Sequence, residues 1–361
     1  MSSSTPASHR IFHEAYITIK KDLVADFVAE GMPTTGLEWY ERNIDFNLPG
    51  GKLNRGLAIL DTVEVMKDRE LTEDECFKVA VMGWCIELIQ AYFLVTDDLM
   101  DGSLTRRGHP CYYKVVGLVS VNDACLLRSA VHVLLRKYFS EEKYYGRLQD
   151  AVLDTIYKTE MGQMLDTITS TTQNSDRYDL NTFSLEKYSK IVIYKTAFYS
   201  FYLPVFMGLL LCDVPTPPRE KAGDPLTDPY QRARDILLPM GEYFQVQDDY
   251  LDAFTPPEIL GKIGTDIIDG KCSWCICKTL SLASPEQIEV LKKNYGTNEV
   301  GSEEEKTVKR VYDEVGLKEK YAKYQAEFKT EFYESIEDVE RVGLKKGIFI
   351  RFFNKIYGRQ K

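Results

Sequence analysis

An all-α fold, built as one large helical domain, is predicted by three observations on this 361-residue chain. Apolar residues recur at helical spacing through 76–95, 121–139, 148–168, 191–211, 232–254 and 272–293, the pattern of helices with a buried face. No run of regularly spaced, alternating strands lies between them, and proline is sparse within them. A chain of this length could hold two average domains or one large one, but no internal repeat of solenoid length divides it. Residues 1–361 are therefore expected to form a single domain.

Taken in order, residues 1–10 are Ser-rich without an apolar signal core, and Glu14 and Asp22 do not suit an acid-poor transit peptide. No targeting segment is expected. Gly50-Gly51-Lys52-Leu53-Asn54-Arg55-Gly56 stands just ahead of an apolar helical stretch, and two apolar runs, Trp84 to Val95 and Ile236 to Val246, each lead into an acidic pentad. Segment 213–229, rich in Pro and turn formers, reads as an excursion between two helices. The charged stretch 301–341 predicts amphipathic, solvent-facing helices. The longest apolar runs, such as 197–212, fall short of a membrane span, so none is expected.

The formal net charge of −10 gives no extended basic face for a nucleic acid, so any anion binding must be local. Eight cysteines in a chain this large and apolar do not form a disulfide framework, which suits a cytoplasmic protein. Cys272, Cys275 and Cys277 cluster, but a zinc half-site needs a partner pair, and none of His9, His13, His109 or His132 stands at ligand spacing; buried, reduced cysteines are expected instead. Gly261 and Gly264 follow no strand and make no nucleotide loop.

The pentads carry the chemistry. Asp97-Asp98-Leu99-Met100-Asp101 and Asp248-Asp249-Tyr250-Leu251-Asp252 place carboxylates at i, i+1 and i+4. On a helix the first and third lie one above the other and the middle one about 100° round, so three oxygen ligands are expected to converge. Gly102 stops the first helix, and Pro256-Pro257 cut off the second. Each pentad thus crowds a helix C-terminus, where an acidic group costs roughly 0.3–1 kcal/mol against the macrodipole. A single such pentad would read as surface charge; two, each behind a buried run, call for a compensating cation. Hard divalent ions, Mg²⁺ above all, are held by a few carboxylates while phosphate oxygens complete the shell. Metal and diphosphate chemistry is the expectation.

Local basic sets surround this acid. Lys52 and Arg55 offer charge-assisted donors to phosphate beside glycines that permit tight turns, without the spacing of a Walker loop. Arg106-Arg107 follows the first pentad within one short loop. Lys195 with Thr196, then Lys262, Asp266 and Lys271, repeat the pattern downstream.

The stretches GGKLNRG at 50–56, LIQAYFLVTDDLMDGSLTRRG at 88–108, YKTAFYSFYLP at 194–204, GEYFQVQDDYLD at 241–252 and GKIGTDIIDGKCSW at 261–274 closely resemble those of eukaryotic farnesyl diphosphate synthases, members of the short-chain trans-isoprenyl diphosphate synthases. The resemblance runs from about residue 40 to the C-terminus, with 1–39 less well covered, and both sides of 213–229 belong to it. It implies an all-helical bundle of isoprenoid synthase type, with a deep central cavity and the two acidic clusters facing across its mouth. It also implies a Mg²⁺-dependent, cytoplasmic homodimer that joins dimethylallyl or geranyl diphosphate to isopentenyl diphosphate, giving farnesyl diphosphate and diphosphate for isoprenoid and sterol biosynthesis. Three Mg²⁺ ions per site, with Mn²⁺ as a substitute, would be held by Asp97, Asp98, Asp101, Asp248, Asp249 and Asp252. Arg106, Lys195 and Lys262 would add positive charge to the leaving diphosphate. The Lys195 carbonyl, the Thr196 hydroxyl and the Gln245 amide would stabilise the allylic cation. Lys52, Asn54, Arg55, Gln90, Arg107, Gln163, Lys271, Arg359 and Lys361 complete the implied substrate-binding set. The released diphosphate is the implied base, so no histidine is needed.

Tyr92 and Phe93 precede Asp97 by five and four residues, roughly 6–7.5 Å along the helix. Two rings there would form a floor for a growing chain, and relatives with this aromatic pair make the fifteen-carbon product. Three departures from the family pattern stand out: Thr96 in place of alanine, Gly270 in place of asparagine, and the tail Gly358-Arg359-Gln360-Lys361 in place of a more basic run. Two alternatives remain: a terpene cyclase recruited from the same scaffold, against which Lys52, Arg55, Gln90 and Arg107 argue, and an inactive helical partner of an active synthase, against which six intact aspartates argue. In the synthases it resembles, the connection at 213–229 tends to be shorter, so this segment is the expected local peculiarity of the chain.

Overall fold

The computed structural model describes residues 7–170, 179–217, 222–260, 263–296 and 299–359. Its chain divides into two compact units, one comprising Met1–Ile156, Leu203–Ala222 and Gly343–Ile348, the other Tyr157–Tyr202, Gly223–Val342 and Phe349–Lys361. Helix dominates both. Among the described residues the strand pairing is a two-residue antiparallel hairpin, Thr105↔Pro110 and Arg106↔His109.

In the first unit the helix Glu73–Asp101 is the core element, packed by Ala7–Ala29, Asn54–Lys67, Ser120–Phe139 and Leu203–Leu211. It is buried almost all round from Cys76 to Val95 because its sequence there offers apolar side chains to every direction. Its start is fixed by a capping box in which Thr72 and Glu75 satisfy each other's backbone N–H groups. Gly102 closes it in the left-handed conformation at φ 67°.

In the second unit the corresponding element is Pro229–Phe254, entered through Asp228, whose carboxylate accepts the N–H groups of Tyr230 and Gln231, with Pro229 in the first turn. It packs on Leu185–Val192, Ile193–Tyr202, Trp274–Leu280 and Leu317–Ser335. A ladder of rings, Tyr243, Phe328, Phe353 and Phe332, stacks through the interior of this unit. The expected helix at 272–293 is two helices, Trp274–Leu280 and Pro285–Asn294, because Ser284 and Pro285 start a new one with its own capping box.

Among the described residues three helices, Glu73–Asp101, Tyr112–Phe139 and Leu185–Leu211, are long and apolar enough to cross a membrane by length and composition alone, contrary to the expectation from sequence. Their apolar windows are 83%, 44% and 78% buried inside the protein, so two of them are largely consumed by internal packing. The eight cysteines are all free; Cys272 and Cys277 bring their sulfurs to 3.6 Å within the buried core beside Cys275.

Candidate active site

The first aspartate cluster ends the Glu73–Asp101 helix, and its carboxylates are not in equivalent surroundings. Asp98 turns inward, its side chain 4% exposed, and is gripped by Arg106, whose Nε and Nη2 lie 3.0 and 2.5 Å from Oδ1. The same guanidinium reaches Asp97 at 3.7 Å. Arg106 therefore offsets part of the pentad's negative charge from within, through the hairpin that folds it back over the helix end.

Arg107 points the other way. Its Nη1 donates to the carbonyl of Pro49 at 2.9 Å, and its guanidinium lies over Gly51, where a Cβ would meet Nη2 at 2.8 Å. The 50–56 loop and the Arg106-Arg107 turn, separate in sequence, are thereby joined. Both carry strain, since Leu53 and Arg107 hold left-handed φ values of 51° and 54°. Non-glycine residues occupy that region at a cost, and such outliers gather at functional sites. The Leu53 side chain is buried, which fixes the turn, while Lys52 and Asn54 on either side are exposed.

Beneath the loop lies Glu87, which sequence reasoning missed. It is buried in the same long helix, accepts the Gly56 N–H at 2.9 Å, and has Arg55 and Arg107 as its positive neighbours. Burial pushes its carboxyl above the ordinary range, against those cations. One turn on, Gln90 is 9% exposed and its Oε1 has no partner among the described residues. The only sequence signal for Glu87 was a charge within an otherwise apolar run.

Phe93 is 8% exposed and its ring sits 4.8 Å from that of Tyr92. Tyr92 packs against Val95, Tyr112 and Ala124, and Arg128 lies 5.8 Å over its ring. Thr96 returns its hydroxyl to the Tyr92 and Phe93 carbonyls at 3.1 Å, which accommodates that departure within the helix.

The second cluster repeats the logic of the first. Asp249 is buried, with Oδ2 accepting the Trp274 N–H at 2.7 Å and the Tyr188 hydroxyl beside it. Burial pushes its carboxyl up to about 8, against the Trp274 and Tyr188 donors, and the charges of Asp248 and Asp252 push the same way. Asp252 accepts the Asp266 N–H at 3.1 Å. This is where Gly264 matters: a Cβ there would stand 2.1 Å from the Asp252 carbonyl, so no other residue lets the 263–271 segment pass so close. Gly270 turns that segment at φ 64°, a conformation asparagine also tolerates, which accounts for the second departure. Buried Tyr295 ties it down, donating to the Lys271 carbonyl at 2.6 Å.

Asp248 is paired with the C-terminal tail. Arg359 places Nη2 2.8 Å from Asp248 Oδ1 and Nε 2.6 Å from Gln247 Oε1, and stacks 3.9 Å over Phe244. Lys195 places Nζ 2.6 Å from Asp166, and Lys271 reaches the same carboxylate at 3.5 Å. Asp166 is 7% exposed and was missed; it lies one turn beyond Gln163, on the same face of the helix Tyr145–Ser170.

Lys195 and Thr196 stand on a π-helical segment, Ile193–Tyr202, that sequence periodicity took for α-helix. Wide turns of this kind occur at functional sites. Gly162 permits it, since a Cβ there would meet the Lys195 nitrogen at 2.1 Å. Thr196 is buried, and Gln245 is half-buried. Lys262 and Lys361 lie outside the described residues.

Among the described residues no three acidic, histidine or cysteine groups form a metal cage by themselves. The donors remain a fit for a hard cation that completes its shell elsewhere. They are all oxygens, and Arg106 and Arg359 hold positive charge against Asp97 and Asp248.

Residues 37–315 match the model of the polyprenyl synthetase family. The chain belongs to that family. Among polyprenyl synthetases and their relatives it is 45% identical to a farnesyl pyrophosphate synthase from Ganoderma lucidum over the whole of both chains. It is 42% identical to the Saccharomyces cerevisiae farnesyl pyrophosphate synthase, again over the whole of both. Its fold matches T. brucei farnesyl diphosphate synthase complexed with a bisphosphonate, with TM-score 0.87 and 33% identity, covering 98% of this chain and all of that one.

Proposed function

We propose that this member of the family is a prenyltransferase of the farnesyl diphosphate synthase type. It condenses dimethylallyl or geranyl diphosphate with isopentenyl diphosphate, head to tail, giving farnesyl diphosphate and releasing diphosphate. The observation that carries the reading is the pair of aspartate clusters built alike, each with its middle carboxylate locked internally by Arg106 or by Trp274. Full-length similarity to farnesyl pyrophosphate synthases supports it over a cyclase or an inert partner.

In this reading Asp97 and Asp101, with Asp248 and Asp252, hold Mg²⁺, while Asp98 and Asp249 orient them. When bound, Mg²⁺ supplies Lewis-acid charge to the departing diphosphate. Arg106, Lys195, Lys271 and Lys262 add fixed positive charge where negative charge develops on the leaving oxygens. The hydroxyl of Thr196, the Gln245 amide and the Lys195 carbonyl present dipoles to the allylic cation without forming an adduct. Gln163 lines the same side. Lys52, Asn54, Arg55, Gln90 and Arg107 bind isopentenyl diphosphate, and Arg359 and Lys361 supply further positive charge for the same substrate. Its double bond attacks the cation, and the released diphosphate removes the final proton, so the protein need hold no base there.

Two further parts of the reading rest on surface and redox chemistry. A homodimer is supported by the exposed apolar run Val115, Leu118, Val119 and Val121, of which Leu118 is 79% exposed. A cytoplasmic location is supported by eight free cysteines. The whole chain is treated as one synthase domain because the family match spans residues of both units.

The deciding experiment incubates the protein with Mg²⁺, isopentenyl diphosphate and each allylic diphosphate in turn. Linear prenyl alcohols that appear only after phosphatase treatment are the expected result. Volatile hydrocarbons without phosphatase would mean a cyclase, and no product would mean an inert partner.

A further inference from the structure

Behind the second aspartate cluster lies a cavity of about 410 Å³ that the proposed reaction does not use. Its inner wall includes Tyr188, Val246 and Trp274, all buried, and Tyr324 flanks them with its ring 6.0 Å from that of Trp274. Lys278, Lys320 and Lys323 line it as well. The acids of the lining are already engaged: Glu242 is hydrogen-bonded by Ser189, and Glu327 stands 3.5 Å from Lys323. Lys278 and Lys320 have no carboxylate within 4.0 Å among the described residues.

Small-molecule sites are mostly apolar and aromatic hollows of about 300–1,000 Å³ with a few polar groups that fix orientation. The aromatic wall suits a flat apolar body, and the ammonium groups of half-buried Lys278 and exposed Lys320, neither paired with a carboxylate among the described residues, suit an anionic head. We propose that this cavity binds a small amphipathic carboxylate, an aromatic body with a single anionic end, and that its occupant is felt at the second aspartate cluster.

The coupling follows from shared residues. Trp274, whose side chain lines the cavity, donates its backbone N–H to Asp249 at 2.7 Å. Tyr188 lies against the same carboxyl. Val246 belongs to the turn of helix that leads into Asp248. A ligand pressed on these three side chains bears on the groups that orient the pentad, which gives it a different affinity for each arrangement of that cluster. The binding claim stands independently of the proposed reaction; the coupling claim rests on it.

The probes are 4-phenylbutyrate and its uncharged amide, titrated calorimetrically into the full-length protein in EDTA without substrates. The acid is expected to bind one per chain and about tenfold more tightly than the amide. The Lys278→Ala/Lys320→Ala variant, altered only at the cavity's rim, should lose that preference. Equal affinity for acid and amide, or an unchanged preference in the variant, overturns the site. Full displacement of the probe by inorganic diphosphate with Mg²⁺ would locate it among the phosphate-binding residues and overturn the site as well. With condensation as readout, saturating probe should shift the Mg²⁺ concentration for half-maximal rate at least twofold in the wild type and not in the variant. No shift in the wild type overturns the coupling. A protein with no condensation at all would instead defeat the reaction assignment, which the titrations in EDTA do not depend on.

Discussion

The guanidinium of Arg359 lies 2.8 Å from the carboxylate of Asp248, so the last described residue of the chain sits on the first aspartate of the second pentad. Its planar fork is held there by Gln247 and the face of Phe244. A cation at Asp248 competes with any metal for the same oxygen. Arg359→Gln is therefore expected to tighten Mg²⁺ binding a few-fold in calorimetric titrations without substrate, and to raise the KM for isopentenyl diphosphate if the tail serves that substrate. Weaker metal binding in the variant would show that Arg359 holds Asp248 in place instead of competing for it.

The two adjacent aspartates of the first pentad should respond oppositely to removal. Asp97 lies at the helix C-terminus, where its charge opposes the macrodipole, so Asp97→Ala should leave thermal stability without Mg²⁺ unchanged or slightly raised while slowing condensation by orders of magnitude. Asp98 is inside and paired with Arg106, so Asp98→Ala should lower stability by about 1–3 kcal/mol in urea unfolding. Equal stability losses in the two variants would contradict the division of labour between them.

Acid stability offers an independent test far from the site. Arg69, Lys67 and the Thr72 backbone N–H hold the Glu75 carboxyl well below its ordinary range. A carboxyl depressed on folding stabilises the protein above its unfolded pKa, and that contribution is lost as pH falls through the lower folded value. Glu75→Gln should thus cost about 1 kcal/mol at pH 7, a figure scaled to a helix cap and exposed ion pairs, and progressively less below the usual carboxylate range. A wild-type-to-variant gap that stays constant from pH 7 to strong acid would be inconsistent with this linkage.

Product length separates Phe93 from Tyr92. Tyr92 is packed into a small core with Val95, Tyr112 and Ala124, and Tyr92→Ala should cost stability, up to about 3–5 kcal/mol for a fully packed ring. Phe93, one turn from Asp97 on the same face, should act on the product: Phe93→Ala is expected to extend it to twenty carbons or more by mass spectrometry of the alcohols. A folded, active Phe93→Ala variant that still stops at fifteen carbons would remove Phe93 from the floor.

The aspartate pentads, their place at helix ends, the basic loop before Asn54–Lys67 and the helix-capping Gly102 were legible in the sequence, because helical periodicity, caps and charge are local properties. Local geometry also gave the spacing of Phe93 from Asp97. What it did not give was the internal partners of these groups: the neighbours of Asp98 and Asp249 draw both inward. Those neighbours arrive from eight and twenty-five residues away, beyond the reach of any periodicity. The same holds for Glu87 under the 50–56 loop, for Asp166 between Lys195 and Lys271, and for Gly162 and Gly264, whose missing side chains matter only because another segment passes within van der Waals distance. The π-helical turns that carry Lys195 were likewise decided by packing, since their sequence suits an ordinary helix equally well. The sequence by itself determined which chemical groups this protein brings to its site; only tertiary packing decided which of them are committed to holding the others, because burial and non-local hydrogen bonds set a side chain's direction and charge.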